Sequence, residues 1–502
     1  MNEVLMGFAR ALTFINLIAS ILSVGVGILI GALPGLSAAM GVALLIPITF
    51  GMPKDTALIT LVGVYCGAIF GGSITAILIR TPGTPAAAAT AIDGYELTKQ
   101  GKAGKALATA TIASFIGGIL SAISLYLFSP VLAKLALRFG PIEYFWLSIF
   151  GLTIIAGVSS KSMIKGLLSG ALGLLLSTIG MDPMLGRPRF TFGQPALLSG
   201  VPFTAALIGL FSMSQVLILA ENKIREVGEM VKVDDKIMLS KEELKEILPT
   251  CLRSTVIGNI VGILPGAGAS IAAFMGYNEA KRFSKKKELF GKGSIEAVAA
   301  SEAANNAVTG GSLIPTLTLG IPGESVTAVM LGGLLIQGLQ PGPDLFTTNA
   351  HITYTLFAGF VIVNIFMLIE GLYGCMLFAK ISKVSDRILI PIIFALSVVG
   401  SYAISNSVQD VFVMFVFGII GYFVVKFEMN PAAIVLALIL GPIGETGLRR
   451  TLIMKHGDIG SLFTGTITWV LIGLSLFSLF SPYIMEKLQK RGEEKADLSL
   501  EN

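Results

Sequence analysis

Long apolar runs, cut by short polar segments, make up most of this chain. Leu12 to Phe50 is too long for one membrane crossing, which takes about 20 residues. Leu33-Pro34-Gly35-Leu36 sits near its middle, so the pattern predicts two helices or a re-entrant pair. Further spans are predicted at Thr56–Ile79, Ala106–Phe128, Ile142–Val158, Met163–Ile179 and Val201–Ala220, with a proline-marked loop over Asp182–Gln194 (Pro183, Pro188, and Pro195 just after). Glu221–Pro249 is the long polar interruption, and its mixed charge reads as a solvated helical linker. Beyond it, Thr255–Tyr277 is broken at Leu264-Pro265-Gly266-Ala267-Gly268, and the small-residue helix Ser294–Leu319 is broken at Ile321-Pro322-Gly323-Glu324-Ser325. Helix resumes over Val326–Ile336. Runs at His351–Ala379, Ile388–Ile404, Val411–Val425, Ala432–Leu440 and Ser461–Ile484 follow, with a basic loop at Arg449, Arg450 and Lys455. The pattern predicts an all-α polytopic membrane protein of about 10–14 segments, broken or re-entrant ones included. Its parts are a first transmembrane repeat over 1–220, a charged linker over 221–250, a second repeat over 251–486 and a charged tail over 487–502.

The chain is organised around Gly71–Asp93, GGSITAILIRTPGTPAAAATAID. It begins as membrane-grade apolar sequence and breaks at Thr81-Pro82-Gly83-Thr84-Pro85. Proline removes a backbone donor and glycine opens conformations closed to other residues. Thr84-Pro85 reads as N-cap and first helical residue of a helix resuming through Ala86–Ala89. In lipid, broken backbone is tolerated only where it is buried in protein or lines a wet cavity. Two half-helices meeting inside the membrane are therefore expected, as at the binding sites of secondary transporters.

Composition agrees. Of 502 residues, 54% are hydrophobic and 13% charged, against about 25% charged in a soluble domain. The net charge of +5 calls for no nucleic-acid partner, since the basic residues lie in short loops. Cys66, Cys251 and Cys375 are far apart and fit no metal or disulfide pattern, and His351 and His456 make no metal centre. Glu3 and Arg10 precede an apolar run that continues past any cleavage point, which argues against a removable signal.

Internal repetition sharpens the picture. GALPGLSA (Gly31–Ala38) matches GILPGAGA (Gly262–Ala269), and GGSITAILIRTPGT (Gly71–Thr84) matches GGSLIPTLTLGIPGE (Gly310–Glu324) with one extra residue. Charge suggests an inverted relation between the copies. Gly51–Asp55 carries one basic residue, Lys54, where its counterpart Lys281–Lys292 carries six. Gly94–Lys105 carries three lysines where Gln337–Ala350 carries none. Basic loops stay cytoplasmic, so matching loops face opposite sides, as two inverted-topology repeats require.

Helix N-termini carry unpaired N–H groups and about half a positive charge. Two such ends, at Thr84 and Ser325, would converge on one cavity suited to a carboxylate. The candidate substrate residues are Thr81, Gly83, Thr84, Asn305, Asn306, Gly323, Glu324 and Ser325. Candidate cation ligands are Ser73, Thr75, Ser312 and Thr316, whose bland role is back-bonding to the preceding turn. Glu302 and Glu324 are candidates for a coupling proton or Na⁺, and Arg80 for pairing with substrate or snorkelling. Glu370 and Asp410 are expected near span ends, and Asp93-Gly94 is expected to end a helix in a turn.

At these residues the chain resembles the TctA family, the large membrane subunit of the tripartite tricarboxylate transporters. The resembling pieces are GALPGLSAAMGVALLIPITFGM, YCGAIFGGSITAILIRTPGTPAAAATAIDGY, GILPGAGA and SEAANNAVTGGSLIPTLTLGIPGESVTAVMLGG. The resemblance implies Na⁺- or H⁺-coupled import (symport) of small carboxylates of the tricarboxylate or dicarboxylate class across the cell's inner membrane. It also implies a small TctB-like membrane subunit and a TctC-like extracytoplasmic solute-binding protein as partners, with no cofactor and no metal beyond a coupling Na⁺. A passive anion channel is the alternative. An intramembrane enzyme fits less well, because no HExxH or GxSxG motif appears.

Overall fold

A computed structural model describes residues 2–33, 35–158, 163–182, 184–221, 235–264, 266, 268–381 and 384–479. Pro34, Pro265 and Ala267 of the breaks, Pro183, most of the linker (222–234) and the charged tail lie outside the described residues. The described chain is almost wholly helical. In order it runs through α1 (Asn2–Ala11), α2 (Phe14–Ala32), α3 (Ala38–Thr49), α4 (Lys54–Ile79), α5 (Ala87–Lys99), α6 (Ala103–Ala136), α7 (Pro141–Val158) and α8 (Met163–Ser177). A two-stranded antiparallel hairpin pairs Gly180 with Arg189 and Met181 with Pro188. One apolar span, Phe203–Glu221, follows as α9 (Phe203–Leu207), a π-helical turn and α10 (Ser214–Glu221). The rest is α11 (Lys241–Ile263), α12 (Gly268–Phe283), α13 (Ile295–Leu319), α14 (Ser325–Ile336), α15 (Ala350–Ile381), α16 (Asp386–Ser405), α17 (Val408–Lys426) and α18 (Pro431–Met454). Among the described residues, 8 helices are long and apolar enough to cross a membrane, and four shorter apolar helices accompany them.

Two boundaries differ from the sequence expectation. The linker ends at Ser240, whose hydroxyl accepts from the Glu243 N–H while the Glu243 carboxylate accepts from the Ser240 N–H. This reciprocal cap starts α11 at Lys241, so the helical stretch expected over Lys241–Pro249 is continuous with the membrane-side helix that follows. Arg449 and Arg450 belong to α18, which continues past Leu440. Arg449 is held by Glu445 one turn earlier at 2.8 Å and by Asp182 at 2.8 Å, so the charge rides on a helix instead of marking a loop.

The chain divides into two compact units, residues 1–137 with 204–422, and 138–203 with 423–502. Neither coincides with a half of the sequence. In the second unit, Asp182 accepts from the Leu185 and Met184 N–H groups, both at 2.9 Å, and from Arg449. These backbone donors, with Arg449, hold its carboxyl down at about 2. Arg189 grips Glu445 with two bonds of 2.7 and 3.2 Å beside a cavity of about 410 Å³.

The first unit contains two helix crossings built in the same way. A β-carbon built on Gly27 lies 2.5 Å from the Val64 carbonyl oxygen, and one on Gly31 lies 2.1 Å from that of Ala68. In the other crossing, Gly258 meets the Ala304 carbonyl at 2.2 Å and Gly262 the Val308 carbonyl at 3.0 Å. Likewise Gly71 meets Ile28 O at 2.3 Å and Gly311 meets Asn259 O at 2.9 Å. Backbones approach this closely only where no side chain intervenes. These contacts correct the sequence register. Gly71 corresponds to Gly311, not to Gly310, and Gly72 to Ser312. No extra residue separates the crossing from the break: the matched GGS letters are offset by one from the matched positions.

Helix directions follow from the same contacts. Along α2 and α4 the paired positions advance together, as they do along α11 and α13, so each pair is parallel. Between α4 and α13 they run oppositely: Tyr65 meets Ser312 and Cys66 bonds Thr309. α5 also runs against α13, with Thr90 at Ser301 and Glu302 and Asp93 accepting from the Ser294 N–H. The basic loops thereby meet. Gln100 donates to the Lys292 carbonyl at 2.7 Å, Lys105 pairs with Glu243 and Lys286 with Glu246. At the other end of these antiparallel helices, Gln337 donates to the Thr49 carbonyl at 2.9 Å, and Gly338 lies beside Lys54. Single cysteines at Lys99 and Lys286 are therefore expected to react with a membrane-impermeant thiol reagent from one face, and a cysteine at Lys54 from the other. Side-selective labelling of vesicles checks this; Lys99 and Lys286 labelling from opposite faces would contradict it.

Candidate functional site

Both breaks end their helices identically. α4 stops at Arg80, in the left-handed region at φ 56°, and the Arg80 and Thr81 N–H groups turn back to the Thr75 carbonyl. α13 stops at Gly320, at φ 71°, and the Gly320 and Ile321 N–H groups turn back to the Pro315 carbonyl. This is a C-terminal left-handed cap. The Pro-Gly that follows lies across the neighbouring crossing: a β-carbon on Gly83 would sit 1.8 Å from the Gly31 carbonyl oxygen, and one on Gly323 would sit 2.5 Å from that of Gly262.

The breaks differ in how helix resumes. α14 begins at Ser325 with Glu324 as its N-cap residue, and the Glu324 N–H donates to the Thr327 hydroxyl. The first break does not use Thr84 as a cap, contrary to the sequence expectation. The Thr84 and Pro85 carbonyls accept from Ala87 and Ala88, so a tight turn precedes α5 and Ala86 takes the cap position without a side-chain bond. The Thr84 hydroxyl points at Gly72 instead and has no hydrogen-bond partner, although Thr84 is buried.

The two breaks are neighbours. Ala86 and Ala269 belong to one buried apolar cluster, and the Ala269 N–H donates to the Glu324 carboxylate at 3.2 Å. The other oxygen of Glu324 accepts from the Tyr65 hydroxyl, which lies 3.0 Å from the Ser312 hydroxyl. Glu324 thus sits at the N-terminal end of α12, where helix partial charge favours a carboxylate. Pro85 and Ser325, which correspond, are both exposed, while Gly83 and Gly323 are buried beneath them. Thr81 is half-buried with only a long bond of 3.4 Å to its own chain. Arg80 is exposed beside the Tyr95 ring.

Asn305 and Asn306 point different ways, as adjacent helical residues must. Asn305 is 0% exposed, and neither amide atom has a partner. Asn306 donates to the Ser114 hydroxyl at 2.8 Å and joins a second buried cluster around Glu302. There Glu302 accepts from Thr90 at 2.5 Å and Ser114 at 3.0 Å. Of the candidate cation ligands, Ser73 bonds to Phe70 O, Ser312 to Thr309 O and Thr316 to Ser312 O. The Thr75 hydroxyl is buried without a partner.

The profile of the tripartite tricarboxylate transporter TctA family matches residues 17–436. The chain belongs to that family. A 52.8 kDa protein of Agrobacterium vitis, described as uncharacterized and lying in the TAR-I ttuC′ 3′ region, is 39% identical over 94% of this chain and 94% of its own length. A second Agrobacterium vitis protein, described as uncharacterized in the TAR-II ttuC′ 3′ region, is 36% identical over 47% of this chain and 98% of its own length. No solved structure matches significantly. This TctA chain is therefore a multi-pass membrane component of a tripartite transporter.

Sequence reasoning missed several residues that build this candidate site. Tyr65 lies inside an apolar span and reads as core; a phenol at membrane depth was the available signal. Thr90 and Ser114 had none beyond their polarity. Asp93 was read as a helix-ending turn, yet it lies within α5, 1% exposed. Its carboxylate accepts from the Gly291, Gly293 and Ser294 N–H groups at 2.7–2.9 Å and from the Tyr277 hydroxyl at 2.8 Å. Glu370 lies within α15 rather than near its end, half-buried against Gly25, with one oxygen unpartnered. Asp410 is in the first turn of α17, at a span end as expected.

Proposed function

We propose that this TctA chain is the translocating subunit of a secondary importer of small carboxylates, driven by Na⁺ or H⁺. The observation that carries the reading is the pair of like-built breaks brought together through Ala86, Ala269 and Glu324. Broken helices inside a membrane protein offer backbone N–H groups to an anion and freed carbonyls to a cation. The antiparallel α4 and α13, and the meeting of unlike loops at each end, support two inverted-topology repeats, the arrangement by which one central site opens alternately to each side. Thr81, Gly83, Thr84 and Asn305 border the substrate position at the first break, with Gly323 and Glu324 of the second break on its far side. Thr75, with the hydroxyls of Ser73, Ser312 and Thr316, is the candidate cation lining, and the buried Glu302 with Asn306 is the alternative seat of the coupling ion. Partners are a small TctB-like membrane subunit and a TctC-like binding protein at the inner membrane. The chain needs no cofactor.

The test is uptake by proteoliposomes holding the assembled transporter and its binding protein, with mono-, di- and tricarboxylates offered under imposed Na⁺ or pH gradients. Accumulation above the external concentration, lost when the gradient is collapsed, is expected. Downhill flux indifferent to both gradients would mean a channel.

A further inference from the structure

The two breaks end their first helices alike but differ in chemistry. In the second, the Glu324 carboxylate is held by the Tyr65 hydroxyl and the Ala269 N–H, with Ser312 behind Tyr65. Counted from the crossing glycines, the same places around the first break belong to Thr84 for Glu324, Asn305 for Tyr65, Gly72 for Ser312 and Ala38 for Ala269. The correspondence also holds between the repeats, not only within them. Asp93 contacts Tyr277, and the matching positions Gly333 and Ile46 also adjoin. α5 packs on α12 and α13 as α14 packs on α3 and α4. By this correspondence, the Asn305 position answers to Thr84 as Tyr65 answers to Glu324.

Three of the four side chains are smaller in the first break, Ala38 and Ala269 being alike, and none of the four is a carboxylate. The groups that would hold one are present. The Thr84 hydroxyl (3% exposed) and both amide atoms of Asn305 (0% exposed) have no partners. Ala38 opens α3, so its N–H has no acceptor within the helix. Buried donors left unsatisfied are costly, and a two-oxygen anion could accept from the Thr84 hydroxyl, the Asn305 amide N–H and the Ala38 N–H.

We propose that the first break is the receptor for a substrate's carboxylate group, held by Thr84, Asn305 and the start of α3. Glu324 is the chain's own copy of that group, filling the equivalent place in the second break. The inference rests on the reading of the breaks as a carboxylate site. It adds that a single carboxylate is the recognised unit and that the second break is closed to substrate carboxylates by its resident one.

The corresponding exposed positions Pro85 and Ser325 serve as reporters, because Cys66, Cys251 and Cys375 are all buried. Pro85→Cys and Ser325→Cys chains are placed in proteoliposomes without any gradient, and modification by a small neutral thiol reagent is timed. Acetate, succinate and citrate are the probes, with chloride as control. Slower modification at Pro85→Cys with carboxylates, and no slowing at Ser325→Cys, is expected. Adding Asn305→Leu, or the isosteric Asn305→Asp, should raise the protecting concentration about tenfold or more, the effect of one lost charge-assisted hydrogen bond, whereas Thr84→Ser should preserve protection. Glu324→Thr should create protection at Ser325→Cys. Protection at neither reporter, protection at Pro85→Cys indifferent to both Asn305 variants, or protection at Ser325→Cys with Glu324 intact would overturn the inference. Gradient-driven uptake is read separately, so coupling and this site can fail independently.

Discussion

Gly83→Ala is expected to leave little folded protein. The added methyl would lie 1.8 Å from the Gly31 carbonyl oxygen and 3.0 Å from the Gly72 α-carbon, and both neighbours are backbone. No rotamer change relieves such a contact, so α2 must separate from the break. Overpacking typically costs about 1–3 kcal/mol where side chains can yield, and here the cost lies at or above that range. Gly323→Ala, 2.5 Å from the Gly262 carbonyl, should be damaging in the same way, whereas Gly51→Ala, with nothing within 4 Å, should be neutral. Size-exclusion profiles and thermal melts of the three detergent-solubilised variants check this. A native melt for Gly83→Ala would mean that the crossing is looser than described.

Asp93→Ala should be the most damaging substitution of a charged residue in the first unit. One buried carboxylate satisfies three backbone N–H groups over Gly291–Ser294 and the Tyr277 hydroxyl, tying α5 to the loop that launches α13. Removing it orphans four donors. With about 1–3 kcal/mol for a single unsatisfied buried group, a loss of about 3–5 kcal/mol is expected after partial rehydration. Asp93→Asn keeps one acceptor oxygen and should fall between wild type and alanine. The same melts, with transport measured alongside, check the order. Equal stability of Asp93→Ala and wild type would remove this clasp from the account.

Much of this was legible because the membrane restricts backbone so severely. Pro-Gly inside apolar sequence has few meanings, and Pro82-Gly83 and Pro322-Gly323 both proved to be breaks next to left-handed caps. Charge counts put the two basic loops on one membrane face, and in the structure the loops adjoin, with Gln100 donating to the Lys292 carbonyl. What sequence obscured was geometry of one residue or less. Identical GGS letters drew the repeat register one position off, because packing matches the glycine at the crossing and not the string. Thr84 carries the side chain of a good N-cap, but the carbonyls of Thr84 and Pro85 start a tight turn first and leave its hydroxyl free. Asp93-Gly94 has turn composition, yet the long-range partners at Gly291–Ser294 override it. Tyr65 looked like core until its hydroxyl met Glu324.

The most direct measurement is an experimental density map of the assembled transporter with a transported carboxylate bound. The account predicts ligand density between the first break and Asn305, within hydrogen-bond reach of Thr84, with the Glu324 side chain still on Tyr65 and Ala269. Ligand density confined to the unit of residues 138–203 and 423–502, with the Thr84 and Ser325 ends far apart or facing lipid, would contradict it.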